Sequence, residues 1–548
     1  MKIKWTTLFI LLLLVIVIFL IVGDRSGEQE TGDLSLPDEE VEQVKHKEGY
    51  GVSSSNPVAV EVGMRVLEQG GNAVDAAVAV SFALGVAEPY GSGLGGGGTM
   101  LVLPKADAEP VVYDYRETAP KEGRKNSTGV PGLVKGMHEV HHDYGVKSLY
   151  DLLEPSVEIA EGGFVVDTYL SQRIHGARHR IDQDAASHFF PDDEAIKGGE
   201  TLRQEDLAET LKRLQEYGLN DFYEGDIAEE IANNYSDVSK RDLEEYEVVK
   251  TKAAKGSFYG YNVYTAGPPT AGITLIQMLQ MAEAYKLDRI DKTSADYIHL
   301  LGEMAKQAYN DRLSNISDPK FTEIDTEKLA SEKYSSKMAS EISTDELSAS
   351  FDVNDTPADE NNHNNTTHFV VMDQDGMVVS ATNTLSNFFG SGNMVEGFFL
   401  NNQLANFSSN EKSPNAYEPQ KSPRSFITPT IVRSEDGSDV MGIGTPGGRR
   451  IPQILTQVMI SAMFDDISIQ EALDQPRFIV EDDEIFIEED MPDSIVSDLR
   501  NKGYLVKINN SDMFYGGVQV LSKFGEDGEV TGAADKRRSG VWKARSTE

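Results

Sequence analysis

Near the middle of the chain, Thr366-Thr367-His368-Phe369-Val370-Val371-Met372 is followed by Asp373-Gln374-Asp375-Gly376 and then by Met377 to Thr384. Two β-prone runs flanking a short turn signal that ends in glycine read as a β-hairpin. With a three-residue loop, Gln374 to Gly376, and Gly376 in the left-handed conformation such loops favour, Thr366 stands opposite Thr384. Cross-strand Cβ atoms lie roughly 4.5–5.5 Å apart, close enough for the two side chains to meet. A threonine hydroxyl is a poor nucleophile unless a base lies within hydrogen-bond reach. Cutting the chain just ahead of the threonine turns its own α-amine into that base. Alone, the hairpin reads as two ordinary threonine-rich strands; the rest of the chain reverses that reading.

The segment Thr344 to Asn365 is polar, acidic and rich in asparagine. A polar surface stretch leaves the Asn365–Thr366 bond accessible, as a processing site requires. Toward the N-terminus, Pro57 to Gln69 carries valines at helical spacing, and Gly70-Gly71-Asn72 stops it. Ala73 to Val86 reads as a second helix, apolar all round and therefore buried. The run Gly91-Ser92-Gly93-Leu94-Gly95-Gly96-Gly97-Gly98 lacks the Gly-Lys-Ser/Thr ending of a phosphate loop, so its glycines are read as sites of close backbone packing. Residues 150–340 read as mainly helical, with a helix over Ile273–Lys286. Strand-like runs follow at Val395–Asn401, Ser425–Val432 and Val440–Gly444, the last leading into Thr445-Pro446-Gly447-Gly448.

The 548 residues contain no cysteine, which excludes disulfides, thiolate metal sites and a cysteine nucleophile. A formal charge of −40 argues against nucleic acid as a partner, since phosphate binding needs basic surface. No clear linker follows residue 50, so one large αβ unit is expected. No His/Asp/Glu cluster has the spacing of a structural metal site, and the chemistry needs no cofactor. Lys2 and Lys4 precede an uncharged apolar run, Trp5 to Val22, close to the ~20 residues that span a bilayer. The lysines favour a cytoplasmic N-terminus with the remainder outside. Residues 1–23 are thus expected to be an uncleaved membrane anchor, with a cleaved signal and secretion as the alternative, and 24–48 a disordered tether.

Five motifs carry a resemblance: Gly70-Gly71-Asn72-Ala73-Val74-Asp75-Ala76-Ala77, Tyr115-Arg116-Glu117-Thr118-Ala119-Pro120, Thr366-Thr367-His368, Leu400-Asn401-Asn402-Gln403 and Thr445-Pro446-Gly447-Gly448. From about Gly51 to its end the chain resembles the γ-glutamyltranspeptidases, which are N-terminal-nucleophile hydrolases. The resemblance implies a four-layer αββα sandwich (an α+β fold) that cuts itself into a large subunit, 49–365 here, and a small one, 366–548, which stay together as a heterodimer. It implies that Thr366 is the nucleophile, that Thr384 holds its hydroxyl, and that the Gly447 and Gly448 amides form an oxyanion hole. It further implies that Arg116 grips the substrate's α-carboxylate and that Gln403 and Ser425 contact the glutamyl group.

Three positions depart from the family pattern. Asn406 stands where many members carry an aspartate for the free α-ammonium, Ser386 where an asparagine is common, and Phe426 replaces the second serine of a pair. These departures, with the runs Ser380–Gly390, Gly397–Leu404 and Gly442–Gly448, are most similar to the capsule poly-γ-glutamate depolymerase branch. An internal residue of that polymer has its α-nitrogen in an amide, so asparagine suits it where aspartate would not. The resemblance therefore implies acyl transfer or hydrolysis on poly-γ-glutamate, with a general γ-glutamyltransferase or glutathione hydrolase as the alternative. A polyanion also needs cations along its path. Arg424, Arg449, Arg450, Lys536, Arg537 and Arg538 supply local clusters, although each taken singly reads first as surface or salt-bridge charge.

Overall fold

The computed structural model describes residues 49–123, 126–234, 238–349, 366–524 and 528–546. The apolar run Trp5–Val22, the tether and Asn365 lie outside the described residues. Among the described residues no helix is long and apolar enough to cross a membrane.

The hairpin forms as its sequence dictates. Strands Thr366–Met372 and Val378–Thr384 pair antiparallel, with Thr366 opposite Thr384 and Met372 opposite Val378. Gly376 has φ 84°, the left-handed turn residue that a Cβ would strain. Asp373 closes the turn by accepting from the amides of Asp375 and Met377. Its second oxygen accepts from Ala73 N at 2.9 Å, fastening the turn to the start of the buried helix Ala73–Ala87. That helix begins in a capping box between Asn72 and Asp75, which satisfies two amide donors that a helix start otherwise leaves open.

The hairpin lies at the centre of a seven-stranded antiparallel sheet. Its order is Val541–Ser546, Gly49–Ser54, Thr366–Met372, Val378–Thr384, Gly97–Leu103, Val111–Asp114, Val249–Lys252. A second, six-stranded antiparallel sheet runs Val530–Ala534, Gln519–Lys523, Val440–Gly444, Thr430–Arg433, Tyr261–Thr265, Ala254–Phe258. Alternation along the strands sorts side chains between layers. Val370, Met372 and Val378 meet Tyr264, Ile431 and Leu521 between the sheets. Phe369, Val371 and Val379 point the other way, into a core shared with helices Pro57–Glu68, Ala73–Ala87 and Leu149–Gly162. Val432, Met441 and Ile443 of the second sheet face helices Gly272–Tyr285, Ala295–Asn315 and Ile451–Phe464. The layers are therefore αββα.

The glycine run packs as its composition implies. A Cβ on Gly97 would sit 2.6 Å from Tyr115 O, and one on Gly98 would sit 2.4 Å from Thr382 O. Elsewhere the expectations need correction. Residues 150–340 are not only helical, because Val249–Lys252, Ala254–Phe258 and Tyr261–Thr265 supply strands at the edges of both sheets. Lys250, Thr251 and Lys252 are exposed on an edge strand, so no apolar alternation marks it. The expected strand 395–401 is broken up: Met394–Val395 pairs with Phe398–Phe399, and Leu400 makes a single bridge to Gly95. Within 425–432 the ladder begins at Thr430. Pro429, directly before it, has no N–H to donate to a ladder.

Candidate active site

Thr366 opens the central strand and is 7% exposed; its Oγ1 lies 3.5 Å from Thr384 Oγ1. Thr384 Oγ1 in turn accepts from Ser386 N at 2.9 Å, and either hydroxyl can donate across the Thr366–Thr384 pair. Ser386 reaches this position with φ 74°, and Asn406 Nδ2 donates to its Oγ at 3.5 Å.

These residues line one cavity together with Gln403, Arg424, Ser425, Phe426, Ile427, Gly448 and Ile451. Gln403 is 1% exposed, and its Nε2 has no hydrogen-bond partner among the described residues. An unpaired buried donor is costly, and a bound acyl group would satisfy it. Phe426 packs on the Tyr309 ring at 5.7 Å and under the Arg312 guanidinium at 4.5 Å. Among the described residues Arg424 is the one charged side chain on the wall; its Nη1 donates to the carbonyls of Arg312 and Leu313. No carboxylate among the described residues lines the cavity.

Gly447 and Gly448 have φ 147° and 59°, values open to glycine and strained for other residues. Gly448 starts the turn that leads into helix Ile451–Phe464. Among the described residues neither glycine's amide donates a hydrogen bond. The Gly448 amide thus stands unpaired on a residue of the cavity wall, a donor for charge developing on a carbonyl oxygen.

The structure does not bring Arg116 to this cavity. Its Nε and Nη2 fork onto Asp114 at 2.9 and 2.6 Å, and Nη1 donates to Pro423 O at 3.0 Å. Arg116 lines a neighbouring cleft with Asp114, Asp318 and Ser422. Most of the basic clusters are likewise paired. Arg449 and Arg450 both bridge Glu481, Lys536 bridges Asp474, and Arg537 bridges Glu488 and Asp535. His368 does not line this cavity. Its ring is buried between the sheets against Gly444, Nδ1 sits 2.8 Å from Thr382 Oγ1, and burial holds its pKa down at about 3.

Two further acids, Glu117 and Glu88, lie near Thr366. Glu117 is fully buried, and among the described residues neither carboxyl oxygen has a hydrogen-bond partner from another residue. A Cβ on Gly97 would meet that carboxyl at 2.9 Å, and Gly97 pairs with Thr384. Paired residues of a ladder share a face, so the carboxyl lies over Gly97 on the sheet face that carries Thr384 and Thr366, with Thr384 between Gly97 and Thr366. Burial pushes its pKa up to about 8. Glu88 stands at the C-terminal cap of helix Ala73–Ala87 and accepts from Ser55 Oγ. Its signal was in the sequence, as it is the one charged residue between Asp75 and Lys105.

The γ-glutamyltranspeptidase family model matches residues 59–544. The capsule biosynthesis protein CapD proenzyme of Bacillus anthracis is 44% identical over 508 residues, covering 92% of this chain and 93% of that protein. The glutathione hydrolase proenzyme of Bacillus subtilis is 32% identical, covering 99% and 98% of the two chains. Among solved structures, cephalosporin acylase from Bacillus halodurans superposes with a TM-score of 0.80 at 25% identity, over 95% of this chain and 99% of that one. A family match along nearly the whole folded region, over an αββα sandwich with a buried threonine at the head of its central strand, shows that this chain belongs to the γ-glutamyltranspeptidase family and is an N-terminal-nucleophile hydrolase of the γ-glutamyltranspeptidase and CapD type.

Proposed function

We propose that the chain cuts itself between Asn365 and Thr366 and then acts on internal γ-glutamyl bonds of poly-γ-glutamate by transfer or hydrolysis. The observation that carries this reading is the charge of the cavity, which has Arg424 on its wall and, among the described residues, no carboxylate. A free γ-glutamyl amino acid brings an α-ammonium, which calls for an anionic partner. A residue inside the polymer brings an amide there and a carboxylate beside it. Asn406 and Gln403 suit the amide, and Arg424 supplies positive potential for the carboxylate. The similarity to a capsule biosynthesis protein supports the same reading.

In maturation the Thr366 hydroxyl attacks the Asn365 carbonyl, and water hydrolyses the resulting ester, freeing the α-amine. In turnover that amine takes the hydroxyl proton as Oγ1 adds to the γ-carbonyl. Thr384 orients the attacking oxygen, and the Gly447–Gly448 turn stabilises the oxyanion, a contribution of roughly 3–4 kcal/mol per well-placed donor. The leaving nitrogen departs with the proton, and an ester joins the glutamyl group to Thr366. Water or an amine then attacks this ester and restores the hydroxyl.

Parallel kcat/KM measurements with poly-γ-glutamate and glutathione test the reading. Efficient cleavage of glutathione with the polymer left intact would replace it by a general γ-glutamyltransferase. Lys2, Lys4 and the run Trp5–Val22 support an enzyme held at the outer membrane face. Protease added to wall-stripped cells should then remove the catalytic part, whereas recovery in the medium without the first residues would mean a cleaved signal.

A further inference from the structure

The strand that carries Thr366 is unevenly supported at its head. Toward Val378–Thr384 the ladder is complete, with Thr367 opposite Asn383 and Thr366 opposite Thr384. Toward Gly49–Ser54 it stops at the pair Ser54–Phe369, leaving residues 366–368 without a ladder partner on that side. A side-chain link takes over at this point. Ser55, the residue after that neighbouring strand, places its Oγ 2.9 Å from Thr367 Oγ1 and donates to Glu88 Oε1 at 2.8 Å. Glu88 is fixed at the C-terminal cap of the buried helix Ala73–Ala87, where its own amide donates to Leu84 O. All three side chains are nearly shut off from solvent, at 2%, 7% and 0% exposure for Glu88, Ser55 and Thr367.

A buried carboxyl in a fully packed region is an expensive way to satisfy two hydroxyls, and this one is attached to the residue next to the nucleophile. We propose that Glu88, acting through Ser55 on Thr367, is a positioning residue for Thr366. The proposal rests on Thr366 being the nucleophile. Before self-cleavage, the covalent chain ahead of Thr366 restrains the strand head. After the cut the same residue is a chain end, and chain ends fray unless they are tied down. The link through Thr367 supplies the tie on the side where the sheet gives none. It keeps the new α-amine and the hydroxyl of Thr366 in line with Thr384. Substrate binding does not pass through these residues, since none of them lines the cavity.

The test uses the full chain and four variants: Thr367→Val, which is near-isosteric and lacks the hydroxyl, Ser55→Ala, Glu88→Leu and Glu88→Gln. In mature protein the first three should lower kcat about tenfold while KM for the γ-glutamyl donor stays within about twofold, the pattern of an interaction that matters only in the transition state. Glu88→Gln keeps an acceptor for Ser55 and should recover most of the lost kcat. Were Thr367→Val or Glu88→Leu to fail to fold, Ser55→Ala and Glu88→Gln carry the comparison. Wild-type kcat in Ser55→Ala overturns the proposal, as does a rise in KM at unchanged kcat, or a Glu88→Gln variant as slow as Ser55→Ala. Thr366→Ala in the same series separates the two readings. If it remains active, the assignment of the nucleophile has failed rather than its positioning.

Discussion

Thr366 and Thr384 face each other across the head of the central hairpin with their hydroxyl oxygens 3.5 Å apart, and the Ser386 amide already occupies an acceptor site of Thr384. Thr384 Oγ1 thus holds one backbone amide while lying within reach of the Thr366 hydroxyl. Thr384→Val should therefore lower kcat about tenfold, the value of one hydrogen bond of about 1.4 kcal/mol to the reacting oxygen. Thr384→Ser should retain most of the activity. Rapid-mixing assays of the acylation step would show whether the loss lies in attack on the donor.

Self-cleavage gives a simpler readout. Wild-type protein should run as two bands on a denaturing gel, and N-terminal sequencing of the smaller should read Thr-Thr-His-Phe. Thr366→Ala removes the attacking hydroxyl and should leave one uncut band. A fragment beginning at Thr367, or full activity in uncut protein, would contradict the assignment.

Glu117 makes stability depend on pH with a defined sign. Its folded pKa of about 8 lies above the 4.5 of an unperturbed glutamate. Between those values the native state holds a proton that the unfolded chain has released. Stability therefore falls as pH rises from about 4.5 to about 8, and the contribution is fully present only below that window. Glu117→Gln cannot titrate. Its melting temperature should gain on wild type steadily from pH 5 to pH 8. A constant difference across that range would show that Glu117 ionises normally.

Arg116 is held by Asp114 and the Pro423 carbonyl, directly ahead of Arg424 and Ser425 on the cavity wall. Its guanidinium thus anchors the segment that shapes the glutamyl pocket. Arg116→Ala breaks a largely buried ion pair, which costs about 3 kcal/mol of stability, and should raise KM for the donor. Asp114→Asn loosens the same anchor and should raise KM as well. If KM falls in Asp114→Asn, the released guanidinium grips the donor's α-carboxylate itself.

The legible parts of this protein are those in which local chemistry sets the geometry. The register of the hairpin follows from a left-handed Gly376 and strict alternation, and the buried helix follows from an apolar run with a capping Asn72. Ser386, Gln403, Asn406 and Ser425 were named from motif positions, and they meet at one cavity because that hairpin and the loops around it converge on the sheet's end. The edge strands Val249–Lys252 and Ala254–Phe258 were not legible, because polar edge strands carry no apolar period, and Tyr261–Thr265 is too short to stand out beside them. The hold of Asp114 on Arg116 was also hidden, although two residues apart in sequence, since only the fold shows which way a guanidinium turns. Glu88 is a lone charge in an apolar stretch and Glu117 stands beside Arg116, but their nearness to Thr366 runs through Ser55 and through the absent side chain of Gly97, neither of which a linear motif displays.

In the proposed reading, the choice of substrate turns on Asn406. It lies on the cavity wall, donates toward Ser386, and stands in a cavity where the described wall residues include no acid. A free α-ammonium placed there loses its water and gains no charged partner, whereas a charge-assisted hydrogen bond is worth roughly 1.5–3 kcal/mol. Wild-type enzyme should therefore use glutathione poorly and internal γ-glutamyl bonds well. Asn406→Asp restores the missing charge and should raise kcat/KM for glutathione about tenfold if about 1.4 kcal/mol is recovered. It should lower kcat/KM for the polymer, because the new carboxylate faces an amide and a chain of like charges. The ratio of the two kcat/KM values, in wild type and in the variant, is the measurement. An unchanged ratio would mean that Asn406 does not read the α-nitrogen, and discrimination would then have to come from Arg424 and from the lost serine at Phe426.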